Sequence, residues 1–266
     1  MPLTLHEMID LRFGFAQTMA KEAAALALDY FNRRETLVIE QKRDPQDVVS
    51  IADREVETLI RKLVADRFPE DGFLGEEFGL QAGTSGSTWV VDPIDGTSPF
   101  VNGMPTWCVS IALIVDGQPV IGVIAAPCQD ELYAAATGHG AFLNGKKLTL
   151  DGSRTIRNAV TGIGANHHVT PKAVATIVDN LLSAGGNFIR NGSGALMLAY
   201  VAAGRLVGYY EPYMHAWDCL AGYCLVQEAG GWYLDFPTDG DGLTRGAPVL
   251  AAAPGAREDL LRIAGL

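Results

Sequence analysis

The chain has 266 residues, enough for one large or two small domains whose core needs no disulfide or structural metal. Lysine and arginine number 20 against 31 aspartates and glutamates, a net charge of −11 that a nucleic-acid backbone or an anionic membrane surface repels. Neither nucleic acid nor membrane is therefore expected as a partner.

Thr4-Leu5-His6-Glu7 fits a capping box and opens a predicted helix over 4–34, with His6 expected as a solvated first-turn side chain. No basic segment followed by an apolar block begins the chain, and no apolar run reaches the roughly 18 residues of a membrane span, so a cytoplasmic location is expected. Lys42-Arg43-Asp44-Pro45 marks a turn. Val56, Leu59, Ile60, Leu63 and Val64 form the apolar stripe of a second helix over 51–67. Thr88–Val91 reads as a short strand ending at Asp92-Pro93. Val109–Val115 and Val120–Ala126 flank Asp116-Gly117 as a hairpin, continued by strands at 132–136 and 141–143. The four cysteines, Cys108, Cys128, Cys219 and Cys224, make no Cys-x-x-Cys pair and sit in apolar runs, which predicts buried reduced thiols.

The pattern changes near Asp151-Gly152-Ser153. Strands at 160–163, 188–189, 206–210, 232–236 and 248–253 then alternate with helices at 171–184, 195–203, 216–229 and 256–264. The expected organisation is an N-terminal α+β half over 1–152, with a mainly antiparallel sheet, and a C-terminal α/β half over 153–266. The site would lie in the crevice between them.

Carboxylates gather at predicted strand and helix ends. In Trp89-Val90-Val91-Asp92-Pro93-Ile94-Asp95-Gly96-Thr97 a strand delivers Asp92 to its edge, Pro93 interrupts pairing, and Gly96 allows close backbone approach. Two carboxylates, a hydroxyl and exposed carbonyls make an oxygen-rich cluster of the kind that suits Mg²⁺. Gly75-Glu76-Glu77 precedes that strand, Asp47 and Asp53 flank the start of the second helix, and Asp218 opens a helix seven residues after Glu211. Each of these alone also reads as a cap or a solvated charge. Gly192-Ser193-Gly194 sits where a helix N-terminus can hold an anion, or is a plain turn.

With these motifs the sequence resembles the inositol monophosphatase family, the Mg²⁺-dependent, lithium-sensitive phosphatases that also include fructose-1,6-bisphosphatases and nucleotide 3′-phosphatases. Asp92-Pro93-Ile94-Asp95-Gly96-Thr97 with Phe100-Val101-x-Gly103 is similar to the first family signature. Trp217-Asp218-x-x-Ala221-Gly222 through Glu228-Ala229-Gly230-Gly231 is similar to the second. Gly75-Glu76-Glu77 and Lys42-x-x-x-x-Asp47-Val48-Val49-Ser50-x-x-Asp53 resemble the remaining two motifs, in the family's order.

The resemblance implies an α+β fold built as a layered αβαβα sandwich, a homodimer, and two or three Mg²⁺ ions per site. Glu76, Asp92, the Ile94 carbonyl and Thr97 would surround the first ion, and Asp92, Asp95 and Asp218 would hold the second. Glu76, Thr97 and Asp53 would serve catalysis by orienting a metal-activated water. Asp95, Gly96, Thr97, Gly192, Ser193, Gly194, Glu211 and Asp218 would contact substrate. The activity implied is hydrolysis of a small phosphorylated polyol, inositol 1-phosphate first. Histidinol phosphate, an amino-alcohol ester, is the alternative, with Glu211 then pairing an ammonium instead of ring hydroxyls. A regulatory protein-binding member with little activity is the alternative of another class. Ser98-Pro99 and the run Glu211-Pro212-Tyr213-Met214-His215 depart from the usual family pattern, and the absence of Lys at position 98 weighs against histidinol phosphate. Lys42, Arg190 and Arg205 are candidate phosphate contacts that also read as surface charges. His139, His167, His168 and His215 are not needed by Mg²⁺, although His215 can line the substrate pocket.

Overall fold

The structure is a computed structural model describing residues 4–36, 39–41 and 48–266. Its helices are α1 (Leu5–Asn32), α2 (Ile51–Arg67), α3 (Thr97–Val101), α4 (Pro171–Ser183), α5 (Gly194–Ala202), α6 (Ala216–Glu228) and α7 (Arg257–Ala264). A short antiparallel ribbon pairs β1 (Ile39–Gln41) with β2 (Val48–Ser50). The larger sheet contains β3 (Gly72–Gly75), β4 (Gly79–Gln81), β5 (Ser87–Asp95), β6 (Cys108–Val115), β7 (Gln118–Ala126), β8 (Glu131–Ala136), β9 (Gly140–Leu143) and β10 (Lys146–Lys147), in the order β10-β9-β8-β7-β6-β5-β3-β4. The smaller contains β11 (Val160–Ile163), β12 (Asn187–Ile189), β13 (Gly208–Met214), β14 (Trp232–Tyr233) and β15 (Ala247–Ala252), ordered β12-β11-β13-β15-β14.

The period of two along each strand sorts side chains between layers. On β6, Val109, Ile111 and Leu113 enter the core beneath α1 and α2, while Cys108, Ala112 and Ile114 enter the core around α5 and α6. Ile163, Tyr210 and Leu250 of the smaller sheet face Ile177 and Leu181 of α4 and Leu260 and Ile263 of α7. The result is the αβαβα stack that the resemblance implied. Helices α5 and α6 are apolar all round because both of their faces meet a sheet.

The predicted capping box is present: Thr4 Oγ1 accepts the Glu7 N–H at 3.3 Å, and Glu7 accepts the Thr4 N–H at 2.8 Å. Other elements need correction. The strand carrying Asp92 does not stop there; β5 continues to Asp95, with an irregular register as Asp92 pairs Ser110 and Asp95 pairs Cys108. Pro93 has no N–H to donate, and the Ile94 N–H turns to Asp92 Oδ1 at 2.9 Å instead of pairing across the ladder. Strand β13 begins later than predicted and extends through Glu211, and β14 is shorter. The strand β3, which composition does not announce, pairs in parallel with β5. Three cysteines are buried thiols as expected, whereas Cys128 is half-buried. Among the described residues no helix is long and apolar enough to cross a membrane.

Candidate active site

Parallel pairing assembles the first acidic group. Gly75, the end of β3, lies opposite Val91, so Glu76 and Asp92 stand side by side, tied by the Glu76 N–H to the Val91 carbonyl at 3.2 Å. The turn after β3 is held from beneath by Glu57 of α2, a residue the sequence reading did not single out. Its buried carboxylate accepts the N–H groups of Glu77 at 2.7 Å and Phe78 at 3.3 Å, and pairs with Arg61 at 2.7 Å. Any β-carbon at Gly75 would stand 2.1 Å from Glu57 Oε1, so only glycine admits this approach.

Asp92, Asp95 and Asp218 converge, each offering a carboxylate oxygen within 4.8 Å of the others. Each is fixed by a backbone amide on one oxygen: Asp92 Oδ1 by Ile94, Asp95 Oδ2 by Ala195 at 2.7 Å, and Asp218 Oδ2 by His215 at 2.9 Å. A second oxygen on each is left for a cation. Asp218 is thus both a helix-terminal cap and a member of the cluster, so its two readings do not compete. Burial, then the charge of Glu76, pushes the Asp92 carboxyl well above its ordinary range; burial, then Asp95, does the same to Asp218. Asp95 is also raised by burial, against the lowering effect of Ser193 and the amides at the start of α5.

Those amides revise one expectation. Ser193 is the N-cap of α5, accepting the Leu196 N–H at 3.3 Å, and its hydroxyl donates to Asp95. The anion held at this helix N-terminus is Asp95 itself, while Gly192, Ser193 and Gly194 still line the cleft. Gly96 adopts φ +94°, and a β-carbon there would meet the Thr106 carbonyl at 3.0 Å and the Ser193 side chain at 3.1 Å. Thr97 follows, its hydroxyl 3.2 Å from the Ile94 carbonyl and 3.3 Å from Asp53 Oδ1. Asp53 lies inside α2, almost fully buried, and reaches the cleft through Thr97 instead of lining it. Lys42 and Asp47 lie outside the described residues.

The cleft encloses about 880 Å³. Among the described residues its wall carries six carboxylates, Glu76, Glu77, Asp92, Asp95, Glu211 and Asp218, against two arginines, Arg190 and Arg245. Glu211 is buried and accepts from the Tyr209 hydroxyl and from Asn166 Nδ2 at 3.0 Å. Burial raises its carboxyl to about 7, opposed chiefly by the Tyr209 hydrogen bond. Asn166 also donates to the Tyr213 carbonyl at 2.6 Å, which ties the loop after β11 to β13 beside the acid. Neither Asn166 nor Tyr209 carries a motif, so no local signal marked them. His167 and His168 are solvent-exposed while bordering the cleft, and the His168 ring packs 4.3 Å from Tyr213. His215 stacks on Trp217 at 4.5 Å. Of the candidate basic residues, Arg190 lines the cleft. Arg205 is outside it, paired with Glu131 at 2.8 Å and bonded to the Tyr133 hydroxyl at 3.0 Å.

Two buried carboxylates and a partly buried third that repel one another are a costly arrangement without a cation, and hard oxygen donors with a fixed second contact fit Mg²⁺. The wall's charge makes the same point, because a phosphate dianion meets net repulsion there until a cation intervenes. The layered fold and the buried acidic cluster are those of a phosphatase. The model of the inositol monophosphatase family matches residues 10–264, and the chain belongs to that family. It is 39% identical over 236 residues to an inositol-1-monophosphatase of Rhizobium meliloti, covering 88% of each chain. It is 40% identical over 219 residues to a Nus factor SuhB of Xylella fastidiosa, covering 82% of this chain and 79% of that one. The crystal structure of the extragenic suppressor protein suhB from Bartonella henselae superposes with a TM-score of 0.85 at 33% identity, covering 93% of this chain and 95% of that chain.

Proposed function

We propose that the protein is a Mg²⁺-dependent phosphomonoesterase acting on a small phosphorylated polyol, with inositol 1-phosphate as the substrate of first choice. The convergence of Asp92, Asp95 and Asp218 within 4.8 Å, in a cleft whose carboxylates outnumber its arginines, carries this reading. Glu76, Asp92, the Ile94 carbonyl and Thr97 would hold one cation, and Asp92, Asp95 and Asp218 another. When bound, the cations supply charge neutralisation for the phosphate and a nucleophile at neutral pH.

The chain's own groups do the positioning. Thr97, steadied by Asp53, would accept a hydrogen bond from the attacking water and align it, with Glu76 as a proton acceptor. The Gly96 and Thr97 amides at the start of α3 bind phosphate oxygens. Glu211, oriented by Tyr209 and Asn166, accepts hydrogen bonds from vicinal hydroxyls of the leaving group. Homodimeric assembly and inhibition by lithium belong to the same reading.

The test is phosphate release from myo-inositol 1-phosphate and histidinol phosphate, with and without Mg²⁺, against Asp95→Asn as the blank. Mg²⁺-dependent release that prefers the inositol ester supports the reading. Preference for histidinol phosphate keeps the metal chemistry and reassigns Glu211 to an ammonium group. Asp95→Asn turning over at the wild-type rate refutes the site assignment. Negligible turnover on every monoester, together with recovery of transcription proteins in a pull-down, would favour the regulatory alternative that the relative named Nus factor SuhB suggests.

A further inference from the structure

A second cluster of ligating groups lies apart from the acidic cleft and shares no residue with it. His6 and Asp10 occupy adjacent turns of α1, four apart, and so share one helix face. His139 sits in the turn between β8 and β9. Both imidazoles approach the one carboxylate: His6 Nε2 is 3.6 Å from Asp10 Oδ2, and His139 Nε2 is 3.0 Å from Asp10 Oδ1. The rings stack nearly parallel, 17° apart in plane and 5.3 Å between centroids. Ligand atoms of the three residues all fall within 4.8 Å of one another.

The surroundings hold this arrangement in place. The Thr4–Glu7 capping box fixes the start of α1 and engages the nearby Glu7 carboxylate, leaving Asp10 as the acid between the rings. Glu228 of α6 accepts the N–H groups of Gly138 at 3.2 Å and Gly140 at 2.9 Å, which brackets His139 on both sides. Phe13 packs 5.7 Å from the His139 ring. The His139 Nε2 atom is shielded from solvent and, although 3.0 Å from Asp10 Oδ1, makes no hydrogen bond. A shielded imidazole nitrogen aimed at a carboxylate without a shared proton is the geometry of two ligands awaiting a cation. Bonds of roughly 2.0–2.1 Å in a tetrahedral zinc site put neighbouring ligand atoms about 3.3 Å apart. The observed 3.0 and 3.6 Å bracket that spacing.

We propose that His6, Asp10 and His139 form a three-ligand site for a borderline divalent transition metal, with Zn²⁺ as the fitting ion and water completing its shell. Two imidazoles select such ions over Mg²⁺ and Ca²⁺, which take oxygen. The site therefore accepts a different metal from the cleft. Bound Zn²⁺ bridges the N-terminal turns of α1 to the β8–β9 turn and ties down the layer that covers the larger sheet.

The experiment is Zn²⁺ titration by calorimetry in excess Mg²⁺, with Co²⁺ absorption reporting coordination geometry. It uses the full chain carrying Asp92→Asn, which disables the cleft cluster, with and without His139→Gln and, separately, His6→Gln. We expect one Zn²⁺ equivalent in Asp92→Asn, and a loss of affinity of about a hundredfold or more on adding His139→Gln. The Co²⁺ band should vanish with it, and Zn²⁺ should raise Tm only while His139 is present. In the otherwise wild-type chain, His139→Gln should leave phosphate release unchanged. Melting curves without metal confirm that each variant folds. Equal Zn²⁺ affinity and stoichiometry with and without His139, or no Zn²⁺ binding in Asp92→Asn, overturns the proposal.

Discussion

Replacing Asp92 by Asn should make the metal-free protein more stable while removing its Mg²⁺ response. Asp92 is 3% exposed and faces Asp95 and Asp218 with oxygens within 4.8 Å. Two unit charges at that separation repel by about 3.5 kcal/mol at an effective dielectric of ~20. The full repulsion is not recoverable, because proton uptake already relieves part of it in the metal-free state. Asn keeps the hydrogen bond that Asp92 Oδ1 accepts from Ile94. We therefore expect a gain of about 1–3 kcal/mol in EDTA, or a rise in Tm of about 2–6 °C for a chain of this size. The sign with pH follows from the raised carboxyl of Asp92. Its protonated form favours folding at low pH, and that contribution is lost as pH climbs from the ordinary carboxylate range through the raised value. The advantage of Asn should therefore widen as pH rises above the ordinary carboxylate range. Saturating Mg²⁺ should cancel or reverse the ranking, since a ligand at a hundredfold excess over its Kd adds about 2.7 kcal/mol to the wild type and little to the variant. Thermal melts in EDTA and in Mg²⁺ across that pH range measure all of this. A variant less stable than wild type in EDTA at every pH, or one that gains as much from Mg²⁺, refutes the reasoning.

Two further perturbations probe how the site is held. Glu57→Ala takes the acceptor from two part-buried amides and removes the carboxylate partner of Arg61, which should cost about 2–4 kcal/mol. It should also weaken Mg²⁺ binding by loosening Glu76, with Glu57→Gln recovering part of both. Urea unfolding and Mg²⁺ titration check this, and a Glu57→Ala protein of wild-type stability would remove Glu57 from the account. Glu211, held at about 7, should make KM for inositol 1-phosphate fall as pH rises through that value, because the ionised form accepts from two hydroxyls. Cation loading offsets the charge of Asp95 and moves the inflection lower. Glu211→Gln should abolish the inflection while leaving the titration of the phosphate ester itself. A pH profile of KM identical in both proteins would deny Glu211 its substrate contact.

Local chemistry made much of this protein legible in its sequence. Thr4 and Glu7 announced the start of α1, Asp116-Gly117 the β6–β7 turn, and the Asp92–Thr97 run the acidic strand end, because capping, turn formation and alternation act over a few neighbouring residues. The position of Asp218 at a helix start was equally readable, since an acid there suits the first turn whatever else it does.

Tertiary structure decided what those residues meet. Parallel pairing of β3 with β5 set Glu76 beside Asp92, and no pattern in Gly72–Gly75 specifies its partner strand. The docking of α5 spent the Ala195 amide on Asp95, a hundred residues away in sequence, so a helix N-terminus that read as an anion cradle or a plain turn holds the carboxylate of the chain itself. Asp53 was set against Thr97 at the cleft, Asn166 oriented Glu211 from a neighbouring loop, and His139 was brought to Asp10 by the sheet beneath α1. Such contacts arise when whole layers close over a shared apolar core. The sequence specifies that burial through hydrophobic periodicity, while the polar pairings it produces depend on register and packing angle, which no short segment contains.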